Sequence, residues 1–333
     1  MNTINTTNTM SATNTTAPTN TTAPINALNK SVRNFLVIAG VLVLIGIVLA
    51  GIGFGLGGMK SVTFTPDGPV VIGSAHSENV QINESYTKLT SVTVNADLTK
   101  FTLVEGDDTS FTLRGTYHPA LQEYELTEQD GALTISGKNL IKNWWGFGFF
   151  NDANNELVLT CPKGTKLNNI NVTLGLGNFE VRNLEAHSLN VKLDLGNFNG
   201  SALVVDTLEA ELKLGACTLS ELSVKESGTF KMDAGSLRIR DSLVNNLTTR
   251  NNLGSFEYSG TLTGLVKTTL DAGSLRLDLT NAKNELNYRI KTDLGSVRVN
   301  GQNQGNSVNV DIVSPACSLD ASLSLGSAEL NTK

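Results

Sequence analysis

LGLGNFEV (174–181), LDLGNFNG (193–200), LKLGACTL (212–219), MDAGSLRI (232–239), NNLGSFEY (251–258), LDAGSLRL (270–277), TDLGSVRV (292–299) and LSLGSAEL (323–330) each carry a glycine in the same frame. The glycines are Gly177, Gly196, Gly215, Gly235, Gly254, Gly273, Gly295 and Gly326, spaced 19, 19, 20, 19, 19, 22 and 31 residues apart. A fixed period near twenty residues marks a stacked-repeat architecture, in which no single coil buries its apolar face alone. Two residues past each glycine stand Phe179, Phe198, Cys217, Leu237, Phe256, Leu275, Val297 and Ala328. Four past it stand Val181, Gly200, Leu219, Ile239, Tyr258, Leu277, Val299 and Leu330, with a largely polar residue between. This is strand alternation with one face inward.

Working outward, the residue just before each glycine is Leu176, Leu195, Leu214, Ala234, Leu253, Ala272, Leu294 or Leu325, and it is expected to point inward. The glycine itself reads as a tight corner between two short strands, because it reaches φ > 0 without a Cβ clash. The 22-residue gap predicts an insertion near Asn281–Asn284, on a loop. The 31-residue gap holds DIVSPACSL (311–319), read as one more corner with Pro315 in the glycine place, so that the last segment is a partial coil. The fold class follows: all-β, a single-stranded parallel β-solenoid (β-helix) of about 19–20 residues per coil, with an N-terminal β cap, preceded by one transmembrane helix.

The 333 residues divide into five stretches. Residues 1–33 are rich in Asn and Thr, with NTTAP twice, and are expected to be a disordered cytoplasmic tail. Residues 34–58 contain FLVIAGVLVLIGIVLAGIGFGLG, 23 uncharged residues, long enough for a transmembrane helix. Lys30 and Arg33 before it, against Lys60 after it, favour the N-terminus inside and the repeats outside. Cleavage as a signal peptide is the rival reading of this stretch. Residues 59–85 read as a stalk or irregular first strand. Residues 86–156 read as a β cap built from hairpin-like strands (SVTVNA, KFTLVEG, SFTLRGTY, ALTISG) with turns at Glu105–Asp108 and Glu128–Gly131; the repeats fill 157–333.

Composition narrows the function. The net charge is −6, and the first 33 residues hold only Lys30 and Arg33, so the remainder is more acidic still. With no basic stripe and no aromatic–basic interleaving, nucleic acid is not an expected partner. Cys161, Cys217 and Cys317 lack metal-ligand spacing and read as buried apolar filler, with Cys217 and Cys317 too far apart along the stack to pair. His76, His118 and His187 share no coil or motif, and no nucleophile elbow, phosphate loop or metal signature occurs. The expectation is a protein that is not an enzyme and uses no cofactor or metal.

Two features remain as candidate binding surfaces. NWWGFGFF (143–150) concentrates Trp144, Trp145, Phe147, Phe149 and Phe150, and reads either as a loop that grips a partner or membrane interface or as packing over the first coil. Asp194, Lys213, Asp233, Asn252, Asp271 and Asp293, two before each glycine, would line one outer edge. Stacked aspartates bind calcium in nonapeptide repeats, but Lys213 interrupts this column and the coil is twice as long, so a solvated ladder is the expectation. Arg238, Glu257 and Arg276 beside it should pair across strands.

The order of a span, SVTVNADLTKFTLVEGDDTSFTLRG, GALTISGKNL, an aromatic loop and ELVLTCPKGTKLNNINVTLGLGNFEV resembles the bacterial putative-adhesin family of β-strand-repeat proteins, a domain of unknown function common in Gram-positive bacteria. The likeness covers roughly residues 85–333, and the entry into the first coil, Leu157 to Leu167, is its most specific part. The resemblance implies a β-solenoid displayed at the cell envelope and supplies no catalytic residues. The functional expectation is a non-catalytic, single-pass surface protein of the cell membrane, binding a cell-wall or host glycan or an envelope membrane protein. Envelope-stress sensing through a membrane partner is the alternative, and a polysaccharide-active enzyme the weaker one.

Overall fold

The structure is a computed structural model that describes residues 61–65, 68–72, 79–119, 122–139 and 155–333, together with the single position Val43. The chain divides into two units, Met1–Met59 and Lys60–Lys333. The N-terminal tail, the proposed span and the aromatic segment 143–150 lie outside the described residues, apart from Val43. Among the described residues no helix is long and apolar enough to cross a membrane.

The second unit is all-β. Strands β1 (Ser61–Thr65) and β2 (Gly68–Ile72) form an antiparallel pair. Then come β3 (Val80–Tyr86), β4 (Ser91–Gly106), β5 (Phe111–Tyr117), β6 (Gln122–Gln129), β7 (Ala132–Asn139) and β8 (Glu156–Pro162). The repeats follow as β9 (Lys166–Asn245) and β10 (Leu247–Leu279), then a 3-10 turn at Lys283–Glu285, β11 (Leu286–Val299), β12 (Gln302–Asn303), β13 (Ser307–Val310) and β14 (Cys317–Asn331). The 3-10 turn occupies the expected insertion. The stretch read as a stalk carries β1, β2 and most of β3.

Strand β9 is 80 residues long because the backbone stays extended through its bends. Segments one period apart pair in parallel: Gly254 with Gly235, Phe256 with Leu237 and Glu257 with Arg238. Two columns per coil set the bends. One is the glycine column. The other lies six residues later, where Asn183, Ala202, Glu221 and Asp241 hold φ of 51°, 52°, 53° and 51°. Asn and Asp accept a left-handed backbone, which costs other non-glycine residues roughly 1–2 kcal/mol, so the stack holds Ala202 and Glu221 against their own preference.

The interior matches the alternation after each glycine. Phe179, Phe198, Cys217, Leu237, Phe256, Leu275, Val297 and Ala328 are buried, and the rings of Phe101, Phe179 and Phe198 stack at centroid distances of 5.7 and 5.3 Å. The residue before the glycine is a correction. Leu195, Leu214, Leu253, Leu294 and Leu325 are exposed, and the inward position lies two residues earlier at Leu193, Leu212, Leu270 and Leu323. The bend turns several consecutive residues outward, so the alternation does not carry across it.

Both ends also differ from expectation. SVTVNA and KFTLVEG are one strand, β4, which lies parallel to the first coil with Thr99 opposite Gly177 and Phe101 opposite Phe179. Thr99 is thus the first member of the corner column. Beyond β4 lie β7 and β8, parallel to it, and β5, β3 and β6 close that end with antiparallel pairing. The Asp130–Gly131 turn joins β6 and β7 as a hairpin, with both residues at positive φ. At the other end Pro315 is not a corner. It belongs to the irregular segment 311–316, and β14 is a full strand lodged between β10 and β11, with Gly326 against both Gly273 and Gly295. Cys317 consequently sits opposite Gly264 and Leu286, outside the column that holds Cys217. Strands β12 and β13 cover the outer side of β11 in antiparallel fashion.

Candidate binding edge

The corner column is built by contact as much as by torsion. A Cβ on Gly177 would stand 1.9 Å from the carbonyl oxygen of Thr99, and one on Gly196, Gly215, Gly235, Gly254 or Gly273 1.6–1.7 Å from the oxygen of the preceding corner. Gly326 meets Gly273, and Gly295 meets Gly326, in the same way at 1.7 Å. Every corner therefore rests on the peptide below it, and only glycine leaves room.

This stacking lays out three parallel surface columns. Leu176, Leu195, Leu214, Ala234, Leu253, Ala272, Leu325 and Leu294 follow one another in spatial order, with Leu195 42% exposed and Leu294 69%. On one side run Asp194, Lys213, Asp233, Asn252, Asp271 and Asp293. Lys213 Nζ lies 2.8 Å from Asp194, and Asn252 Nδ2 donates to Asp233 at 3.0 Å. On the other side run Asn178, Asn197, Ala216, Ser236, Ser255, Ser274, Ser327 and Ser296. There Asn178 Oδ1 accepts from the Asn197 backbone at 3.0 Å, and Asn197 Oδ1 from Ala216 at 3.1 Å. An aliphatic stripe thus lies between a carboxylate-rich column and an amide and hydroxyl column. Among the described residues no group of three or more His, Cys, Asp or Glu side chains is arranged to hold a metal ion.

Further round the coil runs a charge ladder. Arg238 bonds Glu257 with Nε at 2.7 Å and Nη2 at 3.3 Å, and Arg276 Nη1 lies 3.7 Å from Glu329. The hydrogen bond from Arg238 holds the Glu257 carboxyl below its ordinary pKa. A second network joins Lys166, Glu185, Lys225 and Asp206, with His187 Nδ1 2.8 Å from Asp206. The His187 hydrogen bond is the main cause lowering the Asp206 pKa. The three cysteines are free and buried, and burial pushes the thiols of Cys161 and Cys317 up to about 12 and that of Cys217 higher still. Thiols held protonated in this way are poor nucleophiles.

Trp144, Trp145, Phe147, Phe149 and Phe150 lie outside the described residues, but their attachment points do not. Asn95 pairs with Ser136 and Lys100 with Glu156, so four residues of β4 span what takes nineteen between β7 and β8. The pairings of β7 and β8 with β4 thus end at Asn95 and begin at Lys100, on either side of Thr99. Sequence reasoning missed Thr99 because it carries no glycine. It missed the exposed leucines because their spacing looks like a core pattern.

The Toastrack DUF4097 family model matches residues 70–314. The chain belongs to the Toastrack DUF4097 family. Its most similar solved structures include a putative cell adhesion protein from Clostridium sporogenes, 11% identical, with TM-score 0.31 and coverage of 77% of this chain and 100% of that one. A putative adhesin from Bacteroides fragilis is 13% identical, with TM-score 0.43 and coverage of 77% and 98%. A putative lipid binding protein from Parabacteroides distasonis is 14% identical, with TM-score 0.29 and coverage of 76% and 97%. No curated protein matches this Toastrack chain.

Proposed function

We propose that this chain is a non-catalytic surface protein of a bacterial envelope, held by a single span at 34–58 with its N-terminus inside, that presents a parallel β-solenoid as a binding surface. The observation that carries this reading is the corner edge, where one aliphatic stripe continues over eight coils between two polar columns. A linear cell-wall or host glycan suits such an edge, because its C–H faces can rest on the leucines while its hydroxyls meet Asp and Asn on one side and Ser on the other. Contiguous exposed apolar stripes rimmed by polar groups are a frequent mark of interaction sites. The aromatic residues of 143–150 would add the ring stacking that sugars favour.

Whole cells carrying the full chain supply the test. They should retain labelled cell-wall or host polysaccharide, and Leu214→Ser, Leu253→Ser and Leu325→Ser together should cut that retention at least tenfold with surface display unchanged. Release of soluble fragments from the polymer at enzyme-like rates would overturn the non-catalytic reading, and full retention by the triple variant would overturn the choice of edge.

A further inference from the structure

Strand β14 lies out of chain order. It follows β11 in sequence yet fills the position between β10 and β11, paired in parallel on both sides. Its inward residues Cys317, Leu319, Ala321, Leu323, Ala328 and Leu330 are all buried at 3% exposure or less. Its two outward acids each fall between two cations: Asp320 between Lys267 and Arg289, and Glu329 between Arg276 and Arg298. With Glu329 in place the outer ladder alternates in space as Arg238, Glu257, Arg276, Glu329, Arg298. In chain order the last two would be reversed, leaving Arg276 beside Arg298. If β10 and β11 closed on each other in their shared register, Lys267 would face Arg289 and Arg276 would face Arg298. Like charges directly opposite are destabilising. The cleft between β10 and β11 is therefore matched to one acidic, alternating strand and discouraged from closing without it.

Nothing in the chain path ties that strand to its own cleft. Val310 lies against Tyr288 on the outer side of β11, and Cys317 against Leu286 on the inner side, so residues 311–316 cross about two strand spacings, roughly 10 Å. Six extended residues span about 20 Å. The linker has slack, and it is at the surface, with Val313 94% exposed.

We propose that β14 is an exchangeable strand: β14 of one copy fills the β10–β11 cleft of a second copy, joining two chains through reciprocal insertion. Domain swapping exchanges an identical element between copies and needs a linker able to open. The two chains then share every contact that one copy makes alone. The difference between closed and swapped forms reduces to linker strain and concentration, with the intramolecular form favoured up to the ~mM effective concentration of a short tether. This proposal is independent of the glycan reading.

Ser274 and Ser327 are register partners across the β10–β14 boundary and face outward. Their Cα spacing, about 4.8 Å, is within reach of a disulfide. Full-length Ser274→Cys and Ser327→Cys chains would be co-refolded in detergent over ~10 µM to ~1 mM, bracketing the tether's effective concentration, and then oxidised. An interchain 274–327 disulfide is expected, identified by peptide mass spectrometry and rising at least tenfold across the range. The double variant Ser274→Cys, Ser327→Cys at low concentration is the control and should link within one chain. Detergent-corrected light scattering of the unmodified protein refolded at the same concentrations gives the second reading, a mass that doubles. The proposal is overturned if the control links internally while the mixture gives no interchain disulfide. It is overturned equally, whatever the control does, if the unmodified protein stays monomeric throughout.

Discussion

Replacing Gly254 by alanine puts a methyl carbon 1.7 Å from the carbonyl oxygen of Gly235, at a backbone φ of +136°. Cβ atoms essentially never come within 3.0 Å of another heavy atom, so the two corners must separate by at least 1.3 Å. A shift of that size breaks one or two ladder hydrogen bonds, each about 1 kcal/mol net and up to about 3 when a buried group is stranded. The φ penalty adds roughly 1–2 kcal/mol. The sum is about 3–5 kcal/mol. Two other glycines separate the two causes. Gly164 has φ +73° with nothing within 4 Å of a Cβ, so Gly164→Ala should cost only about 1 kcal/mol, from torsion alone. Gly177 has no positive φ yet faces the Thr99 oxygen at 1.9 Å, so Gly177→Ala should cost about 2–3 kcal/mol, from collision alone. The measurement is urea unfolding followed by circular dichroism, with an unchanged slope confirming that the same unit melts. If the Gly177 and Gly254 variants are no less stable than the Gly164 variant, the corners are not in contact and the column is misread.

Three further outcomes can be checked on the same protein. Glu329→Lys places a third cation between Arg276 and Arg298 and should lower stability by about 1 kcal/mol, an effect that shrinks in high salt. Asn251 is 2% exposed, with Nδ2 donating to the Ser255 carbonyl at 3.2 Å and a buried Oδ1 that finds no hydrogen-bond partner, in a column that holds Met232 below and Leu270 above, so Asn251→Leu exchanges one hydrogen bond for apolar packing and should leave stability within about 1 kcal/mol of the unmodified protein. The carboxyls of Glu257 and Asp206 have folded pKa values below their unfolded ones, so their contribution is complete above the ordinary carboxylate range near pH 4 and lost as pH falls through the folded values. Stability measured from pH 6 down to pH 2 should therefore fall, and Glu257→Gln should flatten part of that decline.

The glycine period was legible because each coil meets the same constraint, and a side chain that collides with a carbonyl is excluded at every repeat. The inward residues two and four past the glycine were legible for the same reason: they lie on straight strand. The leucine before it was misread because alternation assumes a straight ladder, and the bend breaks the phase between Leu193 and Phe198. The second bend left only a broken mark, because Asn183, Asp241 and Gly260 suit a positive φ while the positions between them do not. Ala202 and Glu221 adopt φ near 50° under the pressure of the stack, not by their own preference. The spatial order of the last strands was written in the charges rather than in the period. Only with Glu329 between Arg276 and Arg298 does the sign alternate, a test that the spacing of glycines does not provide.

The contact between each corner and the carbonyl beneath it depends on nothing outside that pair. A coil from the middle of the run, such as the one turning at Gly215, meets above and below only what any other middle coil would offer. Gain or loss of nineteen or twenty consecutive residues there leaves the flanking corners in line, whereas extra residues that do not fill a coil must leave the stack as a loop, as they do at Lys283–Glu285. The repeat run can accordingly lengthen only in whole steps, like a ladder extended by the rung.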